Sequence, residues 1–525
     1  MSNARNLGNA GRSIDIDDKN NTCFGDNSLK GVTTGGNNTA IGLNTLNGNT
    51  IGCCNTAVGT GSLQCNTIGS NNTAVGVSSL YLNTTGYNNT AIGDHALSCN
   101  TTGSNGTAIG VNALVCNTTG SGNTAVGTNA LYCNTFGVQN TSIGFLALLN
   151  NTTGNSNTAV GSATLNCNTT GGGNTAIGVG SLACNTRGSC NTAVGVSSLY
   201  LNTTGSYNTG IGNNSLYSNT IGCGNTGLGD DSLASNTTGF DNTAIGTNSM
   251  CLNVIGYQNT AVGSNSLYSN NGRFNVAVGE RAMCKNTTGI QNVAVGAYAL
   301  TSNTTGCGNV AVGFNALVCN SIGYWNTAVG ECALVCNTVG GNNTALGSCA
   351  LTTNSEGYSN VSIGHDSMFL NTTGYDNVAV GTSALQANTT AIRNTAVGNC
   401  ALYCNTIGII NTAVGKNALY NNTTGCGNTG IGSNALLSNT SGWYNVAVGI
   451  GTLASNTFGN GNTGIGIEAL CCNTTGSNNT AVGKGALYCN TYGSENVAVG
   501  DQAFIATSQD LITLLLEDLP CMQTL

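Results

Sequence analysis

Apolar and polar positions recur along the chain with a period of 17 residues. Asn opens a unit at Asn21, Asn38, Asn55, Asn72 and Asn89, and so on to Asn496. One step, Asn259 to Asn275, is a residue short around Asn270, Asn271 and Gly272. The 29 units share the consensus N-T-A-V-G-x-x-A-L-x-x-N-T-T-G-x-x, and Gly106 is the one departure from Asn at position 1. A short fixed period marks a stacked array in which each unit buries its apolar face on its neighbours.

Within a unit the pattern predicts strand and turn. Gly at position 5 of every unit, and at position 15 of nearly every unit (Ala391 is an exception), disfavours helix and marks tight turns. Between turns, Thr or Val at position 2 and mostly Val or Ile at position 4 alternate as one face of a strand. Val276, Val293 and Val310 make position 2 frankly apolar, so this face is expected to look inward. Position 9 is Leu or Met until Phe504 closes the series. One unit per coil gives an all-β fold, a parallel β-solenoid (β-roll) of 29 coils. At about 4.8 Å per coil it predicts a rod about 140 Å long.

The invariant polar positions fit the same picture. Stacked Asn at positions 1 and 12 can bond side chain to side chain and to turn backbone in adjacent coils, and Asn also tolerates left-handed backbone. Thr at position 13 extends that ladder, and the fixed glycine, Gly25 to Gly500, supplies a positive φ at a corner. Position 8, always Ala, Ser or Thr, sits beside the fixed position 9. Neighbours in a strand point to opposite faces, so either a corner falls here or a second face is buried against another chain. One Val and one Leu per coil make a thin core, which predicts self-association, most simply a trimer.

Composition narrows the partners. Only 30 of the 525 residues are charged, 25 are Cys and one is Pro, with a net charge of −8. Nucleic acid needs a basic stripe, which is lacking, and no run approaches the ~18 apolar residues of a membrane span. The ends differ from the array at 21–504. Residues 1–20 carry Arg5, Arg12, Asp15, Asp17, Asp18 and Lys19 and are expected to form an attachment arm or polar cap. Residues 505–525, with Leu511, Leu514, Leu515 and Leu516, predict a short amphipathic helix that caps the last coil or serves assembly. The N-terminus lacks the apolar core of a signal peptide, which predicts synthesis in the cytoplasm.

Converging chemistry is absent from the pattern, and the expectation is a non-enzymatic protein with no catalytic, cofactor or metal residues. His95 and His365 occupy turns 16 coils apart. The acids, Asp94, Asp230, Asp231, Glu280, Glu331, Asp366 and Glu468 among them, also fall in turns and read as solvated. Eleven cysteines occupy position 11, a slot that also accepts Ser, Leu and Lys285, so they read as small fillers kept as thiols. Cys319, Cys332, Cys336 and Cys349 cluster across three coils without a zinc spacing signature. The N-x-T sequons coincide with the ladder itself. Tyr recurs at position 10 (Tyr81, Tyr132, Tyr200, Tyr217), and Tyr324, Trp325, Trp443 and Tyr444 decorate a turn. These are candidate contacts to a receptor or glycan.

The segments NVAVG (275–279, 292–296) and NTAVGxxAL (326–334, 411–419) resemble the head repeats of trimeric autotransporter adhesins, and the likeness spans 21–504. Similar arrays occur in phage tail fibres and in surface proteins of large DNA viruses. The resemblance implies a trimer of left-handed parallel β-rolls that touches host surfaces. The 17-residue unit is longer than the adhesin coil, and the chain is Cys-rich and shows no secretion signal, stalk heptads or membrane barrel. Those departures favour a structural fibre of a virion surface or an extracellular filament. It would self-associate as a trimer or end to end, without membrane insertion. The alternative is an adhesin rod that contacts a host receptor or glycan.

Overall fold

The structure, a computed structural model, describes residues 14–16 and 19–504. The expected helix at 505–525 and most of the arm at 1–20 lie outside the described residues. The described chain is a parallel β-solenoid with one three-residue strand per coil and no helix. It divides into two units at Ser264/Asn265. The first holds fifteen coil strands, Thr22–Phe24 to Thr260–Val262, and the second fourteen, Val276–Val278 to Val497–Val499. Within each unit, successive strands pair in parallel with identical positions facing, as Thr124↔Thr141 and Val126↔Ile143 do.

The arm contributes one element to this frame. Strand β1 (Ile14–Ile16) pairs antiparallel with β2 (Thr22–Phe24), Asp15 opposite Cys23. The parallel edge of the first coil is therefore covered by a strand of opposite direction, a device that blocks parallel addition of another chain there.

The coil at 123–139 shows how the sequence closes on itself. Backbone handedness changes four times, at Gly127 (φ 134), Asn129 (φ 56), Leu131 (φ 54) and Gln139 (φ 57). These reversals turn the chain through its corners while its amides still reach the adjacent coils. Thr124 N donates to Asn140 O at 2.8 Å, Leu131 N to Ala147 O at 2.9 Å and Gln139 N to Ser121 O at 3.0 Å. The position-5 glycine has no alternative. A Cβ on Gly127 would sit 2.5 Å from Gly144 O in the next coil, in a backbone region that L side chains avoid.

The interior corrects the expected face assignment. Position 3, not positions 2 and 4, points inward: Ala125 is fully buried, while Thr124 and Val126 are only half-buried and Val278 and Val295 are 37% and 38% exposed. Ala130 and Leu131 are both fully buried, because the left-handed φ at Leu131 makes a corner between them. Of the two explanations open for position 8, the corner is the one observed. Positions 3 and 8 share one small volume. Where Ser198 and Ser215 turn their hydroxyls onto Gly210 O and Gly227 O, a Cβ on either glycine would lie 2.6 Å from the serine Oγ.

Polar columns fill the rest. Asn140 Nδ2 and Asn151 Nδ2 both donate to Gly154 O, at 2.8 and 3.0 Å, so one carbonyl clamps the two sides of its coil. Asn151 Nδ2 also reaches Asn134 Oδ1 at 2.9 Å, and Asn140 N reaches Asn123 Oδ1 at 3.0 Å. The asparagine ladders thus exist, and in this coil and its neighbours their residues are buried with satisfied amides. They do not use left-handed backbone. The left-handed Asn residues stand instead at positions 7 and 17, such as Asn129 and Asn88. Thr135 Oγ1 donates to Thr152 O at 3.1 Å, so position 13 does extend the bonding between coils. The short coil keeps the ladder too, with Asn286 Nδ2 reaching Asn270 Oδ1 at 2.7 Å.

Candidate functional site: the outward columns

With positions 1, 3, 8, 9, 12 and 15 committed inward, only the outward columns are open to a partner. Positions 2 and 4 form the flattest of them, because they lie on the one hydrogen-bonded strand of each coil. Position 2 is Thr in all fifteen coil strands of the first unit and Val in half of those in the second. Position 4 is Val, Ile, Leu or Phe throughout, and Ile41, Ile92, Ile109 and Ile177 are 38–41% exposed. No charged side chain interrupts this face.

The histidines sit where the sequence places them, in turns. His95 Nδ1 lies 2.8 Å from Asp94 and His365 Nδ1 lies 3.2 Å from Asp366; the first three side chains are exposed and that of Asp366 is half-buried. Cys319 and Cys336 stand in the position-11 column, whereas Cys332 and Cys349 stand in the position-7 column. Among the described residues, no three His, Cys, Asp or Glu side chains converge to hold a metal ion. The twenty-three described cysteines from Cys53 to Cys489 are free thiols. Partial burial pushes the Cys65, Cys133 and Cys404 thiols up, and in Cys116 neighbouring Cys133 and Cys99 add to the effect. Cys471 is the extreme, raised to about 11 by burial first and then by Cys472 and Glu468. Such thiols are held protonated near neutrality and are slow nucleophiles.

Aromatic side chains stack from coil to coil, a feature not among the expectations above. Tyr200 and Tyr217 lie 5.3 Å apart and 4° from parallel, and Tyr403 and Tyr420 lie 4.9 Å apart and 2° from parallel. At position 16, Phe240 stacks on Tyr257 and Tyr358 on Tyr375, each pair 4.6 Å apart. A ring between two others shows solvent only its edge, and a ring face opens only where a stack ends. Tyr324 and Trp325 differ in meeting edge to face at 5.6 Å, 47% and 65% exposed. The signal for the stacks was present in the sequence as aromatics 17 residues apart.

Among the clefts of the described residues, two lie between the position-7 and position-10 columns. One, of about 550 Å³, is bounded by Asn214, Tyr217, Asp231 and Ala234. The other, of about 240 Å³, is bounded by Glu468, Lys484, Tyr488 and Gln502. Each pairs one tyrosine with one carboxylate from an adjacent coil.

Fold and columns define a parallel β-solenoid repeat protein. No family model and no curated protein matches the sequence. No helix among the described residues is long and apolar enough to cross a membrane.

Proposed function

We propose that this protein is a structural fibre component, a solenoid that associates side by side with copies of itself, most simply as a trimer, on a virion surface or in an extracellular filament. The observation that carries the reading is the uncharged face of positions 2 and 4, kept in register through every coil of each unit. In the first unit it makes a strip about 10 Å wide and about 70 Å long, roughly 700 Å². A stable interface takes about 800 Å² from each partner, so this strip and its flanks suffice. The antiparallel β1 covers the first coil's edge, which favours lateral packing over end-to-end growth at that end. The adhesin-head resemblance points the same way.

The test is sedimentation of the full chain beside a variant carrying Ile92→Lys, Ile109→Lys and Val126→Lys. The parent should sediment as an oligomer, and the variant as a monomer with an unchanged circular dichroism spectrum. A monomeric parent, or imaging that shows compact globules, overturns the reading. Attachment to a host surface is a second reading, supported by the exposed Tyr324–Trp325 pair. It predicts saturable cell binding that falls when both are replaced by Ser.

A further inference from the structure

The Tyr200–Tyr217 stack ends abruptly. The next coil carries Ala234 at the same position, so one face of the Tyr217 ring is packed on Tyr200 and the other looks into the 550 Å³ cleft. The column drops from ring to methyl at Ala234, and Cys251 in the coil after it carries no ring either. The Tyr217 face is therefore open for more than one coil spacing of about 4.8 Å. The walls are polar. Asn214 and Asp231 come from the position-7 column, and Ser218 and Ser235 from position 11. Among the described residues, none of these four side chains is engaged in a hydrogen bond within the chain. Elsewhere the position-7 asparagines pair with each other, as Asn112 does with Asn129 at 3.2 Å. Asn214 lacks that option because its neighbours in the column are Ser197 and Asp231. The Asp231 carboxylate acts on the next coil as well, adding to the burial that raises the Cys251 thiol.

We infer that this cleft is a saccharide subsite, in which one pyranose ring lies on the open face of Tyr217 and its hydroxyls bond to Asn214, Asp231, Ser218 and Ser235. A pyranose presents a face of C–H bonds bearing partial positive charge, and an aromatic face bears the complementary negative charge. Its equatorial hydroxyls need both donors and acceptors. The amide and two serine hydroxyls supply both, and the carboxylate accepts. A quaternary ammonium is the other guest of an aromatic face, but it prefers a cage of several rings, and this cleft offers one ring with mostly neutral polar walls. The second cleft repeats the scheme of one tyrosine, Tyr488, with a carboxylate, Glu468, and an amide, Gln502. The inference goes beyond the fibre reading and does not use the Tyr324–Trp325 pair.

The test uses the full chain and saturation-transfer NMR with the methyl glycosides of glucose, galactose, mannose and N-acetylglucosamine, each at millimolar concentration. At least one should receive saturation through its ring protons. Two substitutions should weaken it by roughly tenfold or more, as loss of a central aromatic contact does: Tyr217→Ala, which removes the floor, and Ala234→Tyr, which fills the slot by adding a third ring. The second variant guards against misfolding, because tyrosine already occupies position 10 in eight coils. Tyr324→Ser should leave the signal unchanged, which separates this site from the second reading. No transfer to any glycoside overturns the inference, as does transfer indifferent to both slot variants. Binding of tetramethylammonium in place of the glycosides also overturns it, in favour of a cation site.

Discussion

Leu131→Ile is the substitution that best separates backbone from packing in this fold. Leu131 is fully buried at φ 54. An isomeric aliphatic swap in a core usually costs less than about 1.5 kcal/mol. Left-handed backbone already costs an ordinary L residue about 1–2 kcal/mol, and a β-branched side chain there is a true outlier. Adding a further increment of that size gives a total of about 2–3.5 kcal/mol. Leu131→Met should stay under about 1.5 kcal/mol, since Met250, Met283 and Met368 adopt φ 47–50 at the same position. The loss is confined to the coil and its neighbours, because a linear array couples only adjacent units. Global melting would dilute it, so the assay is native-state hydrogen exchange. The reporters are Leu131 N, bonded to Ala147 O at 2.9 Å, and Cys116 N, bonded to Tyr132 O at 3.0 Å. At 1.4 kcal/mol per tenfold, the Ile variant should exchange roughly 30–300 times faster than the parent. If Ile and Met variants exchange within about twofold of each other, the left-handed corner does not select the residue and the reasoning fails.

Gly106→Asn should stabilise the first unit by about 1–2 kcal/mol, because it restores the side-chain acceptor and donors that a position-1 Asn supplies in its neighbours; a lower denaturation midpoint would contradict this. Gly137→Ala should cost about 1–3 kcal/mol by overpacking, since a Cβ there would lie 2.5 Å from Gly154 O and 2.9 Å from Asn151 Nδ2. Ala391 shows the strain that results: Asn388 Nδ2 reaches its carbonyl at 3.3 Å and Asn405 Nδ2 reaches Asn388 Oδ1 at 3.3 Å, both longer than their counterparts around Gly137. Iodoacetamide labelling of Cys471 should keep accelerating as pH rises from 9 towards about 11. By linkage, the raised thiol contributes stability that is complete below pH 9, the ordinary value, and is lost as pH rises through about 11; a labelling plateau near pH 9 would refute the raised value.

The period, the asparagine ladders, the positive φ of the position-5 glycine and the burial of position 9 were all legible in the sequence, because each is fixed by one residue type recurring at one place. The inner face of the strand was misread. Branched apolar residues ordinarily mark the buried face, but here Leu131 and the two Asn columns occupy so much of the coil that only Ala125 or something as small fits beside them. The telling signal was size rather than hydropathy. Position 3 holds Ala, Gly, Ser or Cys and nothing larger, whereas position 2 exchanges Thr for Val and position 4 admits Phe24. Likewise, position 9 never carries Ile or Val although position 4 often does, which is the imprint of left-handed backbone at Leu131. The tyrosine slot was hidden because it depends on a pair of column neighbours, Tyr217 with Ala234 stacked next to it, and not on any residue by itself.

The two halves of the repeat therefore answer to different constraints. An inward residue faces its own copies above and below, so one change disturbs two coil interfaces, and position 1 departs from Asn only at Gly106. An outward residue touches its column neighbours lightly and is free to vary. A column that varies only among similar uncharged residues, such as positions 2 and 4, offers nearly the same contact at every coil. It suits a partner with the same period, and a second copy of the chain is the simplest such partner. Recognition of a small ligand needs the reverse, a place where the period is broken so that one coil differs from the next. The end of the Tyr200–Tyr217 stack at Ala234 is such a break, with a ring face and unengaged polar groups on one side only. On these two proposals, assembly would use the uniform columns and recognition their interruptions.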